Sequence, residues 1–354
     1  YCKQLVKFHC LENIQFSSRF LFSLGSRTSL ILPVPFEYLC HISDKGFPVS
    51  FTFSLIYWRI KVFRKYLKSV ASSINLFATL FSNSYANCSR YFNNNSVFFC
   101  DLPSSFMDPP KIYPSFTYAD WVKSKYPNLN TILCLQSDIQ FIRHPTSRIV
   151  CIPVPFYIGC FFRKLLYLLI SCFSLFFSFF ILLLPSSYIV FALSSYDLVL
   201  VLLAYFANPS TFSFEYFFLY NWSLTPIWSL FVNHRTTARV SFLFYSVNNE
   251  GFSHAGSSHS VSFDQRNLMW PYIYCWNKYH KAFLQKHKYN LTTLFDSEPF
   301  FAIDSPSLPY PSIPKRSISV FDVSPSNLSF RYSLGIQHTY INPSTVIAFL
   351  YEIY

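Results

Sequence analysis

Glycine is scarce: the chain holds 6 in 354 residues, where average usage near ~7% would place about 25. Left-handed turn positions, helix C′ caps and close helix contacts in lipid all draw on glycine. The shortage therefore argues against a many-helix transporter or channel. Charge is scarce too, with Asp, Glu, Lys and Arg at 12% against the ~25% of an ordinary soluble domain. Only 2 Met occur, and residue 1 is Tyr, so the chain reads as a piece of a longer frame. No cysteine pair has CxxC spacing and none stands at zinc-finger distance from a histidine, so no structural zinc site is expected. No cofactor signature and no nucleic-acid-binding fingerprint occurs.

Aromatic residues are abundant instead: Phe 43, Tyr 26 and Trp 6 make up 21% of the chain. Reading the complementary strand of a Lys- and Glu-rich gene gives such a bias, because those codons complement to Phe and Leu codons. One expectation is accordingly a conceptual translation of a non-coding or antisense frame that was never selected to fold. The net charge of +12 favours anionic partners such as phospholipid headgroups. Cysteines at positions 2, 10, 40, 88, 100, 134, 151, 160, 172 and 275 are expected to stay reduced and mostly buried.

Residues 165–196 contain no charged side chain, and Leu165–Leu184 reads LLYLLISCFSLFFSFFILLL. Some 20 apolar residues at ~1.5 Å each suffice to cross ~30 Å of hydrocarbon. Arg163 and Lys164 precede the run as a cytoplasmic flank would. Pro185-Ser186-Ser187 interrupts it, and a second stretch, Tyr188–Ala207, carries Asp197 near its middle. The two stretches are expected to form a membrane hairpin, with a single span as the other reading. A mid-membrane carboxylate costs at least ~2.5–3.5 kcal/mol, and the apolar residues around it offset that. Tyr216–Phe231, with Tyr220, Trp222 and Trp228, reads as an interfacial aromatic belt.

Upstream, residues 55–81 carry a helical period. Ile56, Ile60, Phe63, Leu67, Val70, Ile74, Phe77 and Phe81 share one face, and Lys61, Arg64, Lys65 and Lys68 lie opposite, with Arg59 at the edge. Two readings are open: an ordinary helix packing its apolar stripe on a core, or a helix lying on anionic lipid through these five basic residues. Residues 82–162 are polar, aromatic and turn-rich, with Thr131–Leu135 and Arg148–Pro155 as candidate short strands.

After the apolar segment the tail is polar. Lys278, Lys281, Lys286 and Lys288 with His280 and His287 read as a solvated basic face, and residues 299–316 as a Pro-rich linker. Within it, Tyr310–Arg316 fits an SH3-type ligand through Pro311, Pro314 and Arg316. Gly251-Phe252-Ser253-His254-Ala255, followed by Asp304 and His338, has the residue order of an α/β-hydrolase triad around Ser253. It lacks the final glycine, the preceding strand and an oxyanion loop. His254 and His259 want a third metal ligand.

Together these features predict a mainly α membrane protein. It would have an N-terminal region (1–162) with an amphipathic helix over 55–81, a hairpin (163–208, spans 165–184 and 188–207) and a polar C-terminal region (209–354). The flanks would be poorly ordered. The expected role is that of a non-enzymatic integral membrane protein in an interaction role, with neither catalytic nor cofactor nor metal residues. The alternatives are the unselected frame and a membrane-anchored serine hydrolase using Ser253.

Overall fold

The computed structural model describes residues 29–296, apart from positions 30, 45, 47, 94, 102–117, 130, 137–138, 144–147, 183–188, 220–224, 245–268, 276 and 287–292. Two compact units share them: Tyr1–Leu67 with Phe180–Leu193 and Leu308–Tyr354, and Lys68–Phe179 with Ser194–Ser307.

In the smaller described unit, α1 (Phe36–Asp44) and the start of α2 (Phe51–Leu80) gather around Leu32, Val34 and Leu39. The Leu32 N–H donates to Ser54 Oγ at 3.0 Å. Gly46, at φ +86°, turns the chain after α1 and donates its N–H to the Ser43 carbonyl. That left-handed conformation is one a residue with a Cβ adopts only at a cost.

The larger unit is an open sheet of β1 (Ser96–Phe99), β2 (Thr131–Leu135), β3 (Gln140–Arg143), β4 (Arg148–Ile152), β5 (Glu215–Phe218), β6 (Arg239–Leu243), β7 (Tyr272–Cys275) and β8 (Thr293–Asp296). The order is β3-β4-β2-β1-β5-β6-β7-β8. Among the described strands only β3 runs antiparallel, at one edge. The strands are short, nearly unbroken apolar runs: all four residues of β1 and of β5 are buried. Strands covered on both faces have this composition, because neither face needs polar residues.

On one face α4 (Tyr118–Lys125) sets Ala119, Trp121 and Val122 against Val97, Phe99, Ile132 and Phe217. The other face is covered by the end of α2, α5 (Phe161–Ile181), α7 (Ser195–Phe206), α8 (Ile227–Arg235) and α9 (Lys278–Lys286). Short helices α3 (Asn83–Asn87) and α6 (Ile189–Leu193) complete the set among the described residues. The crossover from β1 to β2 runs toward β4 with its helix on one face. Those from β5 to β6 and from β7 to β8 run the other way with helices on the opposite face. Right-handed crossovers require this exchange of faces.

The expectation of a mainly α protein is therefore corrected: this is an α/β fold with one helix long and apolar enough to cross a membrane, among the described residues. The hairpin falls with it. The second apolar stretch, which contains α6 and α7, buries Val199, Leu200, Leu203 and Ala204 of α7 in the same core as the sheet. Asp197, read as a mid-membrane charge, accepts the Ile227 N–H at 3.3 Å, at the start of α8. A carboxylate there meets the positive end of a helix. The aromatic belt is core as well. Tyr216 and Phe218 lie in β5, and Trp228 packs edge-on to Tyr216 and Phe156; Tyr220 and Trp222 lie outside the described residues.

The helix expected over 55–81 exists as α2, but its buried side is not the apolar stripe. Ser54, Trp58, Val62, Tyr66, Ser69, Ser73, Leu76 and Leu80 are buried, whereas Ile56, Ile60, Phe63, Leu67, Ile74 and Phe81 are exposed. The two expected strands are β2 and β4.

A candidate site at the carboxyl ends of the strands

From β1 the chain moves to β2 on one side, and from β4 it returns to β5 on the other side of β1. In open α/β sheets this reversal leaves a crevice beyond the carboxyl ends of the two strands, where ligands settle. Here the two ends are pinned together. The Cys100 N–H donates to the Phe217 carbonyl at 2.9 Å, and the Leu219 N–H donates to both oxygens of Asp101, at 2.8 and 3.1 Å. Burial pushes the Cys100 thiol well above its ordinary value, with the Asp101 charge adding to the effect. It is a protonated, inert core thiol.

Two strands further along, His280 lies in the first turn of α9, just beyond the carboxyl end of β7. Asn277 caps this turn by accepting the His280 N–H at 2.8 Å. The imidazole is fully buried, its ring 4.5 Å from that of Phe244 at the end of β6. Neither Nδ1 nor Nε2 has a hydrogen-bond partner. Burial lowers its pKa to about 4, so at neutral pH it is uncharged, with one nitrogen to donate and one to accept. The expectation of a solvated basic face over this helix is corrected at His280.

A second polar cluster lies at the opposite, amino end. Glu215, fully buried at the start of β5, accepts from the hydroxyls of Tyr126, Ser241 and Tyr274, the last at 3.1 Å. Tyr126 and Tyr274 also meet each other at 3.1 Å. Desolvation first, then the neighbouring Glu215 charge, raises both phenols, so they remain donors. Above them the Lys125 ammonium sits 3.7 Å from the Tyr274 ring centre. Desolvation lowers its pKa to about 8, against the pull of Glu215. Every polar atom of the Glu215 cluster has a partner, which marks a folding device rather than a ligand site. At the same end lies a cleft of about 570 Å³ lined by Tyr205, Phe231, His234, Arg235 and Thr237, among others.

Ser253, His254, His259, Asp304 and His338, and the Pro311, Pro314 and Arg316 segment, fall outside the described residues. Among the described residues no group of three or more His, Cys, Asp or Glu is arranged to hold a metal ion. The cysteines at 40, 88, 100, 134, 151, 160, 172 and 275 are free thiols. Sequence reasoning passed over Asp101 and Glu215 altogether and placed His280 on the surface. Nothing in the sequence separates these residues from other isolated polar ones, because only strand order brings them to one end of the sheet.

Sheet order and the reversal beside β1 define an open, doubly wound α/β protein. Residues 175–354, about half of the chain, match the family described as Polysaccharide biosynthesis PFTS motif protein. The chain belongs to that family. Its matched part begins within α5 and takes in β5 to β8 and α9, hence His280 and Glu215. No curated protein and no solved structure matches the chain. Family membership replaces the expectation of an unselected frame.

Proposed function

We infer that this protein serves polysaccharide biosynthesis by holding a sugar-bearing ligand in the crevice beyond β1, β5, β6 and β7. The observation that carries the reading is the family match over residues 175–354. The groups in the crevice suit it chemically. The Asp101 carboxylate is an acceptor, and sugar hydroxyls donate to such groups. A neutral imidazole that both donates and accepts matches a hydroxyl better than a phosphate. The described strand ends carry no glycine-rich loop of the kind that cradles pyrophosphate. A histidine with a pKa near 4 is a weak base at pH 7, so His280 is assigned to orienting the ligand rather than to removing a proton. The length and apolarity of α5 support retention of this activity at a membrane.

Deleting the gene in the organism that encodes it should lower the polysaccharide made there. Asp101→Ala and His280→Leu chains, present at wild-type level, should fail to restore it. Unchanged polysaccharide in the deletion strain would overturn the proposed role. Restoration by both variants would move the site away from these two residues. A purified chain that binds saccharide without turning over a sugar donor would retain the non-enzymatic reading of the sequence.

A further inference from the structure

We propose that the outer face of α5 is a docking surface for an anionic phospholipid bilayer, entered from one leaflet without crossing. The helix is inside out. Tyr167, Ser171 and Ser178 are buried, while Phe162, Leu169, Phe173, Phe176 and Phe177 are 69, 59, 69, 60 and 56% exposed. A helix packed on a sheet in water turns charge outward. From Leu165 to Phe179 this one has no charged or amide side chain.

Packing excludes an independent span. Tyr167 donates its hydroxyl to the Val199 carbonyl at 3.4 Å and meets the Phe77 ring edge-on. Tyr167 and Leu175 both belong to the core of the sheet unit. That fixes about 12 Å of the helix to the domain at ~1.5 Å per residue. The stretches left at either end are each too short for ~30 Å of hydrocarbon.

Several features select lipid as the occupant. Protein partners bring polar rims that must pair across an interface, and this face offers them nothing to pair with, whereas acyl chains require no hydrogen bonds. Its edge is basic. Arg163 is exposed at the head of the helix, and Lys164 reaches back to the Leu80 carbonyl, at 2.9 Å, at the end of α2. The exposed Phe81 ring there meets that of Phe161 at 6.2 Å. Over its last turns α2 repeats the pattern. Ile74 is exposed while Ser69, Ser73 and Leu76 are buried, and Lys68 is exposed beside them. Apolar insertion beside a basic flank is how interfacial helices hold anionic membranes. The inference does not rest on the polysaccharide reading, and a vesicle experiment reads nothing of that activity.

The full chain should float with phosphatidylcholine vesicles that contain phosphatidylglycerol, more weakly with phosphatidylcholine alone, and less at high salt. Phe173→Glu with Phe176→Glu should cut flotation roughly tenfold with circular dichroism and thermal midpoint unchanged. Lys68→Glu with Arg163→Glu should abolish the preference for anionic vesicles. Tags at both termini should be cleaved by protease added outside reconstituted vesicles. Any of four results would overturn the proposal: a wild-type chain indifferent to anionic lipid, a Phe variant that floats like wild type, protection of one tag (a span), or a wild-type dimer that the Phe variant splits while neither floats (a second copy as the occupant).

Discussion

Glu215 shows what one buried carboxylate does when every partner is in place. Three hydroxyls from β6, β7 and the end of α4 converge on it. Removing the acceptor strands the buried Ser241 and Tyr274 hydroxyls, at about 1–3 kcal/mol each, and the half-buried Tyr126 hydroxyl for less. Glu215→Ala should therefore lose at least about 2 kcal/mol, read as a lowered denaturant midpoint, and Glu215→Gln, which keeps an acceptor, should lose less. A midpoint unchanged in Glu215→Ala would mean that the cluster does not form. His280 makes the converse case. Its folded pKa, about 4, lies below the ordinary ~6.5. Between those values the unfolded chain binds a proton that the folded chain refuses. Stability is then whole above pH ~6.5 and drains away as pH falls toward 4, by up to roughly 3 kcal/mol from this residue. His280→Leu should flatten that slope relative to wild type. Parallel pH–stability curves for the two proteins would show that the imidazole is hydrated.

Among elements, α5 separates two questions that its composition merges. Hydrocarbon content makes it a helix able to enter lipid, and the sequence shows that much. Which side packs on protein depends on Tyr167, Ser171 and Ser178, small or hydroxyl-bearing residues that let the helix lie close to its neighbours. Substitutions on the two sides should differ sharply. Tyr167→Ala opens a cavity in the core and should cost about 3–5 kcal/mol. Phe173→Ser, on the exposed side, should stay within about 0.5 kcal/mol. Denaturant titration of the detergent-solubilised chain measures both, and equal losses would mean that the outer face is packed too. α7 failed as a predicted span for a related reason. Hydropathy records the loss of water without recording whether protein or lipid replaces it, and Val199, Leu200 and Leu203 found protein.

For the whole molecule, local pattern determined what short-range physics can determine. The period of residues 55–81 yields α2, the length and apolarity of 165–184 yield α5, and the β-branched runs of Thr131–Leu135 and Arg148–Ile152 yield two strands. The spacing and net charge of the basic residues were also open to reading. The sheet was hidden. Its other strands are four- or five-residue runs such as Glu215–Phe218 and Tyr272–Cys275, too short to show alternation in a chain where aromatic residues are common throughout. Pairing partners far apart in sequence, β1 with β5 for example, leave no local trace. Tertiary structure alone decided which apolar stripe faces protein and which is exposed. It also carried Asp101 and His280 to one edge and Glu215 to the other. Strand order and crossover hand set those positions, and both arise from packing the whole chain around one sheet.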